Sequence, residues 1–223
     1  MNKRLDIINK KINFLGDSIT AGAGNSCQNN IYLNVMKSEI PLAEARNYGV
    51  CGTRFAKQHV PSSNAIYDRD FVSRIDEMDE DADIIVVFGG TNDYGHGDAP
   101  LGNIYDRTQD TFYGACHVLM TKLINKFPFS TIIIITPLHR LNEENFRGEG
   151  NKKNDVAPLS VYVDIIKEVA GYYALPVLDL FNISGIQPNV PVIRKIYCPD
   201  GIHPNDAGHR IIASRLTQFL KSL

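Results

Sequence analysis

Two runs in this chain, Ile84-Ile85-Val86-Val87-Phe88 and Ile132-Ile133-Ile134-Ile135, are too short for helices and too apolar for a surface. Short apolar runs of this kind, the second bounded by Ser130 and Pro137, mark strands covered on both faces. Such strands belong to parallel sheets, whose neighbours are joined by crossovers of about a dozen residues or more. The rest of the chain supplies both strands and crossovers. Ile12 to Leu15 reads as another strand, Val177-Leu178 as a short fifth, and Ala45 to Tyr48 as the most polar one, suited to an edge. Helices are expected between them at about 30–39, 69–78, 107–127, 157–174 and 205–221. The last repeats apolar pairs at Ile211/Ile212 and Phe219/Leu220, with Arg215 beside Leu216, and Asn205 is its expected N-cap. Five alternations of strand and helix predict an α/β fold, a three-layer α/β/α sandwich. With right-handed crossovers the flavodoxin-like order 2-1-3-4-5 fits a five-stranded parallel sheet in a chain this short. We read residues 1–223 as a single domain.

Composition narrows the partners. Twenty-three basic residues against 25 acidic ones leave a net charge of -2 and no reason to expect nucleic acid or an anionic membrane. Met1 to Lys11 alternates apolar with polar residues, unlike a secretory signal, so a cytoplasmic location is expected. No stretch approaches the roughly 20 apolar residues of a membrane span. The cysteines at 27, 51, 116 and 198 lack paired spacing and read as small apolar fillers rather than a disulfide framework or zinc ligands. His59, His96, His117 and His209 show no metal-binding pattern either. Oligomeric state leaves no mark in the sequence.

The chemistry-bearing residues fall where strands should end. Gly16-Asp17-Ser18-Ile19-Thr20 follows the first strand, Gly49-Val50-Cys51-Gly52 the second and Gly90-Thr91-Asn92-Asp93 the third; Asp200-Gly201-Ile202-His203-Pro204 precedes the last helix. In an open parallel sheet these positions face one crevice beyond the carboxyl ends of the strands. A serine hydroxyl is a weak nucleophile until a base takes its proton. His203 is the candidate base for Ser18, and Asp200 the group that orients the imidazole and stabilises its cation. Three long stretches, Thr53 to Asp68, Tyr94 to Asp106 and Leu141 to Val156, leave the same side of the sheet and should crowd around the crevice. The third, rich in Asn, Glu and Gly, reads as the most mobile.

Gly16-Asp17-Ser18 with Gly22, Gly52, Gly90-Thr91-Asn92-Asp93 and the Asp200/His203 pair resemble, in order and spacing, the blocks of the GDSL or SGNH hydrolases. The resemblance spans nearly the whole chain. It implies a carboxylic ester hydrolase on a flavodoxin-like sandwich, using no metal and no organic cofactor. It also implies an oxyanion hole built from the Ser18 N–H, the Gly52 N–H and the Asn92 side-chain amide. The substrate is left open among lipid, carbohydrate and thioester acyl groups. The mix of aromatic and polar residues on the long loops favours a small acyl group on a polar carrier, such as an acetylated sugar. Arg54, Tyr94, His139 and Arg140 are candidate substrate contacts, with Arg147 another cation for an anionic group. Asp17 reads as support for Ser18 and Asp93 as a loop anchor. A second reading is a flavodoxin-like module whose Gly16 to Thr20 loop cradles a phosphate or flavin at a helix N-terminus, but it leaves Asp200 and His203 idle.

Overall fold

The computed structural model describes residues 5–150 and 152–223. The start of the Met1 to Lys11 segment and Asn151 of the third long loop lie outside them. Five strands, β1 (Lys11–Gly16), β2 (Glu44–Gly49), β3 (Ile84–Phe88), β4 (Thr131–Ile135) and β5 (Val177–Leu178), form one sheet in the order β2-β1-β3-β4-β5, every neighbour pair parallel. The expected fold class and strand order are therefore those of the protein. The helices are α1 (Ser18–Ala21), α2 (Tyr32–Glu39), α3 (Phe71–Arg74), α4 (Thr91–Gly95), α5 (Phe112–Lys126), α6 (Leu159–Tyr172), α7 (Leu180–Ile183), α8 (Pro191–Tyr197) and α9 (Asp206–Ser222).

Strand alternation builds two cores. Leu15, Ile85, Val87, Ile132 and Ile134 face a core closed by α3, α5 and α6. Ile12, Phe14, Ile84, Val86, Phe88, Ile133 and Ile135 face a second, closed by α2 and α9. All five β3 residues are buried, which is why that run reads so cleanly in the sequence. Each such side chain contributes about 1.5–3 kcal/mol by leaving water. β2 is one edge of the sheet, and its residues are mostly half-buried. Arg46, in its middle, is held by Glu44, Asp79 and Asp81, so a polar strand is satisfied there.

Several boundaries differ from expectation. The helix predicted from about 107 starts at Phe112, because the Thr111 hydroxyl caps Gly114 N and itself donates to Asp106, holding residues 103–111 in a turn. The segment expected as one helix over about 69–78 is a four-residue α-helix followed by a 3-10 turn, Ile75–Glu77. Asn205 caps α9 as expected, accepting from Ala207 N and Gly208 N. The Cys116 and Cys198 side chains are buried fillers, but Cys27 and Cys51 are exposed. Those two lie in loops outside both cores, where no filler is needed.

Candidate active site

The register of the sheet sets the site. Gly16, at the end of β1, is level with Gly49 of β2 and Phe88 of β3, so the segments carrying Ser18, Gly52 and Asn92 leave from one line. α1 packs against the end of β2 so closely that a Cβ on Gly49 would lie 2.3 Å from Ala21 N. Close approach, rather than a bend, is what Gly49 permits. The Asp17 carboxylate accepts from Ile19 N at 3.0 Å and caps the turn that presents Ser18. That cap takes the Ile19 N–H that a phosphate cradled by this loop would use. Burial pushes the Asp17 carboxyl up to about 6, against the opposing pull of the Ile19 N–H.

Ser18 Oγ lies 3.0 Å from His203 Nε2, although 185 residues separate them in sequence. His203 Nδ1 lies 2.7 Å from Asp200 Oδ2. The other oxygen, Asp200 Oδ1, accepts from Ile202 N at 2.8 Å and His203 N at 2.7 Å. Burial works to raise the Asp200 carboxyl, but these N–H groups and the imidazole outweigh it and hold it below its usual range. The two halves are tied together by Asp206, which accepts from Ser26 N at 2.9 Å, Ser26 Oγ at 2.6 Å and Asn30 Nδ2 at 2.9 Å. One residue of α9 thus anchors the loop that follows Ser18.

The Ser18 and Gly52 N–H groups have no acceptor among the described residues. Gly52 has φ +74°, a left-handed conformation in which a Cβ would also meet the Tyr67 ring at 2.9 Å. Asn92 Nδ2 donates to Thr53 O at 3.0 Å, which leaves its second hydrogen free. Asp93 anchors the loop after β2 by accepting from Phe55 N at 3.0 Å and Ala56 N at 2.9 Å.

Three candidate substrate contacts are buried in the protein instead. Arg54 is 3% exposed and donates to Asp68, to Tyr67 O and to His96 Nδ1. Arg140 pairs with Glu149 and donates to Thr91. The Tyr94 hydroxyl donates to the carbonyls of Asn142 and Asn145. Long loops carry polar backbone that must be satisfied, and these side chains satisfy it. The guanidinium of Arg147 is likewise spent on Lys152 O. His139 alone of the four retains exposure, with 23% of its side chain accessible. Around the loops, residues such as His59, His96, Leu101, Lys152 and Val156 line a cleft of about 770 Å³.

One residue at the core of the site left no signal in the sequence. Arg74 is 2% exposed and donates to Tyr48 O at 2.6 Å, Gly16 O at 3.1 Å and Thr53 Oγ1 at 2.9 Å, tying together the ends of β1 and β2 and the loop behind Asn92. Burial lowers its guanidinium to about 10.

The family model of the GDSL-like lipase/acylhydrolase family matches residues 14–211. The chain belongs to this family. Membership makes it an enzyme, a hydrolase of carboxylic esters. Among solved structures it is similar to a Lactobacillus plantarum protein at 32% identity, with 97% of this chain and 99% of that one covered and a TM-score of 0.83. An acetyl xylan esterase matches at 20% identity over 93% and 98% of the two chains, with a TM-score of 0.61. A member of the lipolytic G-D-S-L family from Veillonella parvula matches at 16% identity over 93% and 96%, also with a TM-score of 0.61. At those identities the last two speak for the fold alone. No curated protein sequence matches the chain. Among the described residues, no helix is long and apolar enough to cross a membrane.

Proposed function

We propose that this hydrolase works through an acyl-enzyme on Ser18. The observation that carries the reading is the relay of 3.0 Å from Ser18 Oγ to His203 Nε2 and 2.7 Å from His203 Nδ1 to Asp200. Ser18 Oγ attacks the ester carbonyl carbon while its proton passes to His203 Nε2. The imidazolium is stabilised by Asp200, which stays ionised. The negative charge on the former carbonyl oxygen is met by the N–H groups of Ser18 and Gly52 and by the free Asn92 amide hydrogen. When the tetrahedral intermediate collapses, the carbon–oxygen bond to the alcohol breaks and the alcohol takes the proton from His203. Water, giving its proton to the same imidazole, then releases the acid and restores Ser18. Each oxyanion donor contributes about 2.7–4 kcal/mol to such a transition state.

For substrate we read a small acyl group on a polar carrier, with acetylated carbohydrate the first class to test. Exposed aromatic side chains at Tyr67, Tyr105 and Phe146 stand among polar residues on the long loops. An acetyl xylan esterase shares the fold. The deciding experiment is Ser18→Ala assayed on p-nitrophenyl acetate, with fluorophosphonate labelling of the wild type. Turnover should fall by at least about 10⁴-fold, and the label should map to Ser18. A variant keeping more than about a tenth of the activity removes Ser18 from the role.

A further inference from the structure

The oxyanion donors stand on three separate segments, and one buried side chain reaches the root of each. Arg74 Nη2 donates to Gly16 O at 3.1 Å, just before Ser18 in sequence, and to Thr53 Oγ1 at 2.9 Å, next to Gly52. Arg74 Nη1 donates to Tyr48 O at 2.6 Å, near the end of β2. A guanidinium has no acceptor, so the direction of every one of these bonds is fixed. Thr53 Oγ1 therefore accepts, and its own hydrogen goes to Val50 O at 2.7 Å, closing the turn from Val50 to Thr53 that contains Gly52. The backbone of the same threonine takes the third arm, Thr53 O accepting from Asn92 Nδ2 at 3.0 Å. The Ser18 and Gly52 arms also meet directly, through Val50 N donating to Gly16 O at 3.1 Å.

Arg74 is itself held in place. Its guanidinium lies 4.6 Å over the Phe71 ring, and Phe71 N donates to Arg54 O at 2.8 Å, in the loop that carries Gly52. Thr53 is fully buried, so both bonds of its hydroxyl are shielded from solvent. The planar fork of arginine presents several hydrogens at set angles, which a single amine does not. An oxyanion hole works only if its donors are in place when charge appears, and a misplacement of about 1 Å costs about 10²-fold in rate. We infer that Arg74 sets the oxyanion hole: its guanidinium holds the arms bearing Ser18, Gly52 and Asn92 at one spacing, and so serves transition-state stabilisation and not substrate binding. Buried away from any substrate, it is a positioning residue. This role rests on the acyl-enzyme reading above.

The test uses the full chain and p-nitrophenyl acetate, with rates counted per serine labelled to completion by a fluorophosphonate, so that any unfolded fraction drops out. Thr53→Val keeps the side-chain shape but removes both the acceptor for Arg74 and the tie to Val50. Its kcat and kcat/KM should each fall about tenfold or more while KM stays within about twofold. Thr53→Ser, which restores the hydroxyl, should recover most of that loss. Arg74→Met should lose about 10²-fold in kcat, and adding Thr53→Val to it should cost little more, since both break the same link. Trifluoroacetone, whose adduct with Ser18 places an oxyanion in the hole, should bind more weakly by the factor lost in kcat/KM. A wild-type kcat per labelled serine in Thr53→Val is the result a purely structural role predicts, and it would overturn the proposal. So would a loss confined to KM, or undiminished inhibition by trifluoroacetone. Thr53→Val decides alone if Arg74→Met does not fold. Failure of the acyl-enzyme reading shows separately, as a Ser18→Ala that still turns over the ester or a label that maps elsewhere.

Discussion

The clamp between the two halves of the site depends on a neutral histidine, and acid should loosen it by a calculable amount. His209, in α9, is fully buried and stacks on Tyr32 with 5.9 Å between ring centroids. Its Nδ1 accepts from Tyr32 N at 3.1 Å, so that nitrogen cannot carry a proton in the folded state. With the Asn25 amide turned to face the ring, Nε2–H donates to its oxygen at 2.9 Å. Burial lowers the imidazole from the usual 6.5 to about 4. Between those two values the unfolded chain binds a proton that the folded one does not. Stability from this residue is therefore fully present above about pH 6.5 and is lost as pH falls toward about 4. The 2.5-unit gap corresponds to about 3 kcal/mol, of which about 2 kcal/mol disappears between pH 7 and pH 5.

Other groups titrate in the same window with either sign. Burial raises Asp17 and Asp93 to about 6, so each works in the opposite direction, gaining folded-state stability as pH falls from about 6 to 3.8. The wild-type profile alone is a sum. The difference from His209→Asn isolates the term, since asparagine keeps an acceptor near the Nδ1 position and does not titrate. Urea unfolding at pH 7 and pH 5 should show the variant losing about 2 kcal/mol less than wild type, whatever its fixed offset. Parallel pH profiles for the two proteins would refute the claim that His209 is held neutral.

Three substitutions at the sheet end separate catalysis from folding. Gly52→Ala imposes a left-handed alanine and a clash with Tyr67; it should cost about 1–2 kcal/mol in urea unfolding and lower kcat much more than it raises KM. Asn92→Ala should lower kcat by about 10²–10³ on p-nitrophenyl acetate, read from steady-state kinetics. Arg74→Met strips donors from Tyr48 O, Gly16 O and Thr53 Oγ1, and should cost about 3 kcal/mol or more in unfolding free energy.

The reach of the sequence follows from how local each signal is. β3 and β4 announce themselves because every residue of β3 and every isoleucine of β4 faces a core, whereas β2 is legible only as a polar edge whose ion pairs come from Asp79 and Asp81 far along the chain. Helices of four or five residues, such as α3, α4 and α7, are too short to show a period. The four motifs are local patterns, so Ser18, His203 and Asp200 could be named before their contact was seen. Arg74 could not, since its three acceptors come from three other segments. Nor could the burial of Arg54, whose partner Asp68 lies 14 residues away across a turn.

The long loops show the same limit from the other side. Leu141 to Val156 has the composition of a mobile loop, yet the described part of it is anchored by specific hydrogen bonds. Glu149 N donates to Gly95 O at 2.8 Å, its carboxylate pairs with Arg140 at 2.6 Å, and Val156 N donates to Phe146 O at 2.7 Å. Lys152 sends its amine inward to Asp93 O and Tyr162 OH, both at 2.8 Å, and burial lowers it to about 8. A buried cation is tolerated only when hydrogen-bonded, so each of these contacts depends on the others. The carbonyl that Lys152 holds belongs to Asp93, whose side chain fixes Phe55 N and Ala56 N, next to the Thr53 carbonyl that Asn92 binds. The polar loop residues thus bear on the placement of Asn92, by a chain of contacts that begins more than fifty residues downstream of it.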